Sequence, residues 1–125
     1  MLKIKMQAIV LDCNDSHALA EFYATLLSWT KHDENSEWIA VSNSDEMPYL
    51  LFQQVADYKP PIWPDEPDAQ RQMLHLDFVV NNLADAINHA LNCGARISPI
   101  QFSEQWKVMI DPAGHPFCLL QRDWL

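Results

Sequence analysis

The chain has 125 residues, of which 49% are hydrophobic and 20% are charged, the balance of a single soluble domain. Its 17 acidic residues outnumber its 8 basic residues, and a formal net charge of −9 disfavours binding to a nucleic-acid backbone. The longest apolar runs are too short to cross a bilayer, and no apolar signal-peptide core follows the first residues. We therefore predict a cytoplasmic protein without a nucleic-acid or membrane partner.

The first half of the sequence predicts a strand, a helix and three further strands. The strands are expected over residues 4–13, 29–33, 37–42 and 48–55, which are rich in β-branched and aliphatic residues. Asp15 is placed to cap the helix that follows the first strand. The apolar face of that helix repeats at helical spacing: Leu19, Phe22, Tyr23, Leu26 and Leu27.

The second half predicts the same order of elements. Strands are expected over residues 73–80, 95–98, 104–110 and 116–121. Gly94 is typical of a left-handed helix end. Residues 111–114 have the composition of a tight turn, with Asp first, Pro second and Gly fourth, so we expect this segment to be mainly structural. The helix between them has its own apolar face: Leu83, Ala86, Ile87, Ala90 and Leu91.

Similar spacings link the two halves. Three pairs of landmarks are separated by 68, 68 and 67 residues: Trp38 and Trp106, Gln53 and Gln121, and Asp15 and Asn82. We therefore predict one domain with a tandem βαβββ repeat, made of module 1 (1–55), a Pro-rich linker (56–72) and module 2 (73–125).

The Pro-rich stretch 57–68 contains four prolines, which exclude a helix or a central strand there. One interpretation is a spacer that joins the two modules. The other is a stiff lid in which Tyr58, Ile62 and Trp63 fold over the mouth of a cavity. Composition does not separate these two interpretations.

An ordered set of short segments covers nearly the whole chain and resembles the glyoxalase-like domain proteins of the vicinal oxygen chelate superfamily. That superfamily includes glyoxalase I, bleomycin-resistance proteins and extradiol dioxygenases. Ser28 is a departure, since the family usually has Gly after the first helix. The segments are Val10-Leu-Asp-Cys13, Leu19-Ala-Glu-Phe-Tyr23, Leu26-Leu-Ser-Trp29, Leu51-Phe-Gln-Gln-Val55, Pro60-Pro-Ile-Trp-Pro64, Leu74-His-Leu-Asp-Phe78 and Asp111-Pro-Ala-Gly-His-Pro-Phe-Cys118.

The resemblance implies an α+β fold in which tandem βαβββ modules form a cupped, open eight-stranded mixed barrel with helices outside. It also implies a homodimer and a small-molecule ligand in the cup. Three functions remain open. The first is a metal-free protein that binds a small organic molecule, and the second is a lyase or isomerase of the glyoxalase type that uses His75 as a ligand or general base. The third is a partner-binding subunit with a vestigial cavity.

Metal-dependent members of the superfamily take ligands from the inner faces of four strands. The matching positions here offer Ala8, Leu50 or Phe52, His75 and Cys118. His75 is the one good nitrogen or oxygen donor in this set, whereas metal sites need three or four protein ligands. We therefore expect no complete metal site and no cofactor, with a divalent metal as the alternative.

The candidate ligand-binding residues are Phe52, Trp63, His75, Asp77 and Cys118, and His75 is the candidate catalytic residue. Alternation along residues 73–80 places His75 and Asp77 on one face, opposite an apolar face expected to pack against the helices. His75 is either a ligand contact or a structural histidine. Asp77 either orients His75 or is an acid at a strand end, and Cys118 is either a reactive thiol or a small hydrophobe.

Aromatic residues form the last group of candidates. They could stack on a flat ligand, and the alternative, which should hold for at least half of them, is packing between sheet and helix. The group is Trp38, Phe52, Trp63 and Trp106.

Overall fold

A computed structural model describes residues 1–32, 34, 37–64 and 66–125. Over these residues the elements follow the order βαβββ twice, each repeat with a four-stranded mixed sheet. This confirms the predicted α+β class and the tandem repeat. The chain divides into two compact units, Met1–Tyr58 and Lys59–Leu125. Asp33, at the end of the second predicted strand, and Asp65, in the Pro-rich stretch, lie outside the described residues.

The first unit has a sheet with the strand order β1-β4-β3-β2, in which β1 is parallel to β4 and the other neighbours are antiparallel. Helix α1 packs against this sheet, and the core between them contains the fully buried Tyr23, Ile39 and Phe52. The elements are β1 (Ala8–Cys13), α1 (Ser16–Leu27), β2 (Thr30–His32), β3 (Trp38–Ser42) and β4 (Tyr49–Gln54).

The second unit repeats this arrangement in the strand order β5-β8-β7-β6, with β5 parallel to β8. Helix α2 contacts its sheet, where Val108, Met109 and Phe117 are fully buried. The elements are β5 (Leu76–Val80), α2 (Leu83–Cys93), β6 (Arg96–Ile97), β7 (Trp106–Ile110) and β8 (Pro116–Gln121).

The predicted cap at Asp15 and the predicted helix end at Gly94 are both present. The Asp15 side chain accepts a hydrogen bond from the backbone N–H of Ala18, and Asn82 does the same for α2. Gly94 ends α2 in the left-handed region with φ of 118°. Ser28 adopts the same region with φ of 56°, so the serine does form the turn where the family usually has glycine.

A second helix-start contact corrects one predicted landmark. Gln54, not Gln53, is the counterpart of Gln121, since each glutamine side chain accepts a hydrogen bond from the first residue of its helix. The distances are 3.1 Å from Ser16 N to Gln54 Oε1 and 2.8 Å from Leu83 N to Gln121 Oε1. The repeat at the helix starts is therefore 67 residues, the separation of Asp15 and Asn82.

Strands β1 and β5 begin later than predicted, at Ala8 and Leu76. β1 starts opposite Tyr49, whose N–H donates to the Gln7 carbonyl at 2.8 Å. Proline explains the boundary of β5, which starts opposite Phe117, the residue after Pro116. A proline has no backbone N–H to extend the ladder. His75 therefore lies just before β5. Leu74, predicted to face the helices, is 55% exposed, so that prediction is wrong at this position.

Neither helix in the described part of the chain has both the length and the apolar character needed to cross a bilayer.

Candidate functional site

Four rings of the second unit lie side by side and form what we call the aromatic row: Trp106, Phe102, Trp63 and His75. Successive ring centroids are 5.8, 5.4 and 4.7 Å apart. The last step is a stack, with 19° between the planes of Trp63 and His75. These separations lie within the range for attractive contacts between aromatic rings.

A groove of about 490 Å³ lies beside the row, lined by Trp63, Pro64, Phe102 and Trp106. Pockets that hold small organic ligands have volumes of about 300–1,000 Å³ and mainly apolar walls. The groove is therefore large enough for a molecule with two or three fused rings.

The Pro-rich stretch holds Trp63 in this position by packing within the second unit. Ile62 forms an isolated parallel bridge with Arg71, and its backbone N–H donates to the carbonyl of Gln70 at 2.7 Å. Pro60 lies against Gly114 so closely that a Cβ on Gly114 would stand 2.5 Å from the Pro60 Cβ. The stretch is thus fixed at two residues just before Trp63, Pro60 and Ile62.

The turn that receives Pro60 is the predicted Asp-Pro-Ala-Gly turn. Asp111 is 1% exposed, and its Oδ1 accepts hydrogen bonds from the backbone N–H groups of Ala113 at 2.8 Å and His115 at 3.0 Å. The Gly114 N–H donates to the Asp111 carbonyl at 2.9 Å. The buried carboxylate therefore holds the turn, as expected for a structural segment.

Gln72 links the Pro-rich stretch to His75. In the amide orientation that forms all of its hydrogen bonds, the Gln72 side-chain nitrogen donates to His75 Nδ1 at 3.2 Å and to the Leu74 carbonyl at 3.1 Å. Its oxygen then accepts from Trp63 Nε1 at 3.3 Å. Because Nδ1 accepts in this network, the proton of the neutral imidazole lies on Nε2.

Nε2 of His75 lies 3.2 Å from Oδ1 of Asp77, which accepts that proton as a hydrogen bond. The strand register places Asp77 opposite Cys118, whose thiol also donates to this carboxylate. Burial, and secondarily the charge and hydrogen bond of Asp77, raise the pKa of Cys118 to about 12. The thiol therefore stays protonated near neutral pH and is a poor nucleophile.

Ligand atoms of His75, Asp77 and Cys118 lie within 4.8 Å of one another, so the structure adds two residues to the one candidate metal ligand in the sequence. An ion held by these three residues would first have to displace two protons from their ligand atoms. Nε2 of His75 carries a proton directed at Asp77, and the Cys118 thiol is protonated, whereas a metal needs both atoms deprotonated. Binding would also require the Gln72 amide to reverse and to lose its contact with Trp63.

The structure brings together four of the five predicted ligand-binding residues: Trp63, His75, Asp77 and Cys118. Phe52 does not join them. Its ring is fully buried in the first unit and stacks on Tyr23 of α1, with centroids 5.5 Å apart. It lies in the core, the alternative that the sequence left open for the aromatic group.

Gln72 and Phe102 belong to the site but were not among the residues singled out in the sequence. Both lie outside helices and strands, so no periodicity marks them. A polar residue directly before an apolar strand is the only signal that Gln72 offers.

Solved structures show that the fold is shared. A glyoxalase-related enzyme from Fulvimarina pelagi is 18% identical, with a TM-score of 0.68 over 94% of this chain and 88% of its own. A glyoxalase/bleomycin resistance protein/dioxygenase family enzyme from Burkholderia phytofirmans PsJN is 13% identical, with a TM-score of 0.66 over 92% and 96%. An antibiotic binding protein from Streptomyces sp. CB03234 is 13% identical, with a TM-score of 0.61 over 97% and 98%.

A search of curated proteins finds no match. The family model for the Glyoxalase-like domain, in contrast, matches residues 8–120. That match covers both βαβββ repeats and the Pro-rich stretch between them. The chain therefore belongs to the Glyoxalase-like domain family.

Proposed function

We propose that this protein binds a small, planar organic molecule in the groove beside the aromatic row and needs no resident metal to do so. The observation that carries the proposal is the row itself, in which Trp63 and Phe102 are both in ring contact and both line the groove. Rings held in this way lose little conformational freedom when a flat ligand stacks on them.

Polar groups at the His75 end of the aromatic row orient the bound ligand. The His75–Asp77 pair offers a carboxylate and an imidazole at one end of an otherwise apolar wall. A few polar groups in an apolar pocket are the usual means by which a site fixes the orientation of a ligand. The related fold of the Streptomyces antibiotic binding protein is compatible with such a role.

A catalytic role for His75 is the second candidate, in a lyase or isomerase of the glyoxalase type. The contact between His75 and Asp77 favours it, because a carboxylate can orient an imidazole for proton transfer. If His75→Ala left the turnover of every confirmed substrate unchanged, this role would be excluded.

The test of the first candidate is a screen of planar aromatic compounds by thermal shift, followed by titration of Trp63→Ala. Loss of one stacking partner is worth about 1–3 kcal/mol, so we expect affinity to fall at least fivefold. Trp38→Ala is the matched control. Trp38 is the partly exposed counterpart of Trp106 in the first unit, and its loss should leave the affinity unchanged.

Metal analysis of protein purified without chelator tests the other half of the proposal. One equivalent of tightly held nickel, zinc or iron per chain would contradict it, as would equal loss of affinity in the two tryptophan variants. The homodimer and the cytoplasmic location expected from the sequence remain predictions, and sedimentation of the purified protein tests the first.

A further inference from the structure

The carboxylate at the end of the aromatic row is approached by uncharged donors. His75 reaches Asp77 as a neutral imidazole in the tautomer set by Gln72, and Cys118 reaches it as a protonated thiol. Hydrogen bonds from neutral groups stabilise a carboxylate but leave its negative charge in place. With His75 in this tautomer and Cys118 protonated, neither neighbour cancels the negative charge of Asp77.

Asp77 is also open to a ligand. Its side chain is 57% exposed, and its two oxygens can accept about four hydrogen bonds, of which His75 and Cys118 use two. His75 joins Asp77 to the aromatic row, since it stacks on one face of Trp63 and contacts Asp77. A ligand that contacts Trp63 from the groove and extends along the row past His75 would bring its far end toward Asp77.

The rings of the row favour the same sign of charge. The face of an indole or phenyl ring is electronegative and attracts a cation within about 6 Å of its centre. The net charge of −9 adds a long-range attraction for cations and a repulsion for anions. An anionic planar molecule would place its charge beside Asp77 at a cost that a cation does not meet.

We propose that the groove selects planar aromatic cations, such as quaternary or protonated nitrogen heterocycles. The carboxylate of Asp77 is the group that attracts the positive charge of the ligand. This inference rests on the proposed function, because it assigns a ligand class to the same groove. The rings supply affinity for any flat molecule, and Asp77 supplies the preference for the charged one.

Two probes of the same ring system test it: N-methylquinolinium, which is always charged, and 4-methylquinoline, which is uncharged at mildly alkaline pH. Each is titrated into the full chain, with binding followed through the indole N–H signals in the NMR spectrum. The Trp63 signal is identified by its absence in Trp63→Ala. We expect the cation to bind about tenfold more tightly than the neutral probe.

Asp77→Asn should reduce this preference to about twofold. Asp77→Glu keeps the charge and should keep most of the preference. The matched control is Asp45→Asn, which removes another exposed aspartate that lies beside a histidine, His32, in the first unit. It should leave the preference unchanged.

Salt provides a measurement that needs no variant. Raising ionic strength screens exposed charges, so the affinity for the cation should fall while that for the neutral probe is steady. If both probes move the Trp63 signal equally, or if Asp77→Asn or salt leaves their ratio unchanged, the charge selection is wrong and the proposed groove stands. If neither probe moves the Trp63 signal, both proposals fail.

Discussion

The two units of this chain share one topology but differ in the residues at equivalent positions. Applying the 67-residue repeat, the polar site positions of the second unit are apolar in the first: Ala8, Val10 and Leu51 stand where His75, Asp77 and Cys118 stand in the second. The strand pairs agree with this alignment, since Val10 lies opposite Leu51 as Asp77 lies opposite Cys118.

The helix of the first unit, in contrast, is more deeply buried than the helix of the second. Helix α1 has five buried residues, whereas α2 has one, Ala90. The largest fully buried side chains include the stacked pair Tyr23 and Phe52 of the first unit. In this chain one copy of the repeated scaffold concentrates packing, while the other carries the polar and aromatic groups to which we assign the proposed binding.

The largest expected effect tests whether buried packing contributes more to stability in the first unit than in the second. Phe52→Ala should lower the free energy of unfolding by about 3–5 kcal/mol, because it removes a fully buried ring and leaves a cavity. Phe102→Ala is the control in the second unit, where the ring is 51% exposed, and should cost about 1 kcal/mol or less. Denaturant unfolding measures both, and equal losses would remove the distinction.

A smaller effect is expected where the Pro-rich stretch meets the turn. Gly114→Ala combines a φ of +92° with a Cβ that meets Pro60, so we expect a loss of about 2–3 kcal/mol and a shifted Trp63 signal. Gly94→Ala has a φ of +118° but only ordinary contact with Pro112 at 3.8 Å. It should cost about 1–2 kcal/mol and leave Trp63 unchanged. The opposite ranking would mean that Pro60 is not held by this contact.

The glutamines at the two helix starts, Gln54 and Gln121, should contribute equally to stability, whereas the site positions differ between the two units. Gln54→Ala and Gln121→Ala should each cost about 1 kcal/mol, because each removes the acceptor for a helix N–H. Gln53→Ala, one residue earlier, should change stability by less than about 0.5 kcal/mol. Urea unfolding of the three variants checks the 67-residue register, which a large effect at Gln53 would contradict.

A separate effect concerns the pH dependence of stability. The folded pKa of Cys118, about 12, lies above the ordinary value of 9.0, so the unfolded chain loses this proton first as pH rises. The contribution of Cys118 is complete below pH about 9 and declines as pH rises toward about 12. Comparing unfolding of the wild type and Cys118→Ala over this range isolates the effect. Parallel curves would show that the thiol has no raised pKa.

The fold could be predicted because local rules determine most of it. Alternating apolar residues mark the strands, and Asp15, Asn82 and Gly94 mark helix ends through contacts with residues near them in sequence. The pattern places the start of β5 too early because its limit comes from Pro116 on the paired strand. Register between distant strands cannot be read from a single segment.

The site was predictable only where polar residues interrupt an apolar strand pattern, as at Asp77, or precede one, as at His75. Gln72 and Phe102 lie in irregular segments whose positions depend on long-range packing. Phe52 was assigned to ligand binding because a strand with apolar residues on both faces does not reveal which face meets the helix.

The contact between Pro60 and Gly114 has a consequence for the order of assembly. The two residues lie 54 positions apart, and β5 acquires its parallel partner only with residues 117–121. During synthesis, the first unit can therefore fold while the groove still lacks one of its supports. The proposed binding surface is completed only after residues 114–121 have left the ribosome, so deleting them should abolish ligand capture before it abolishes the first βαβββ repeat.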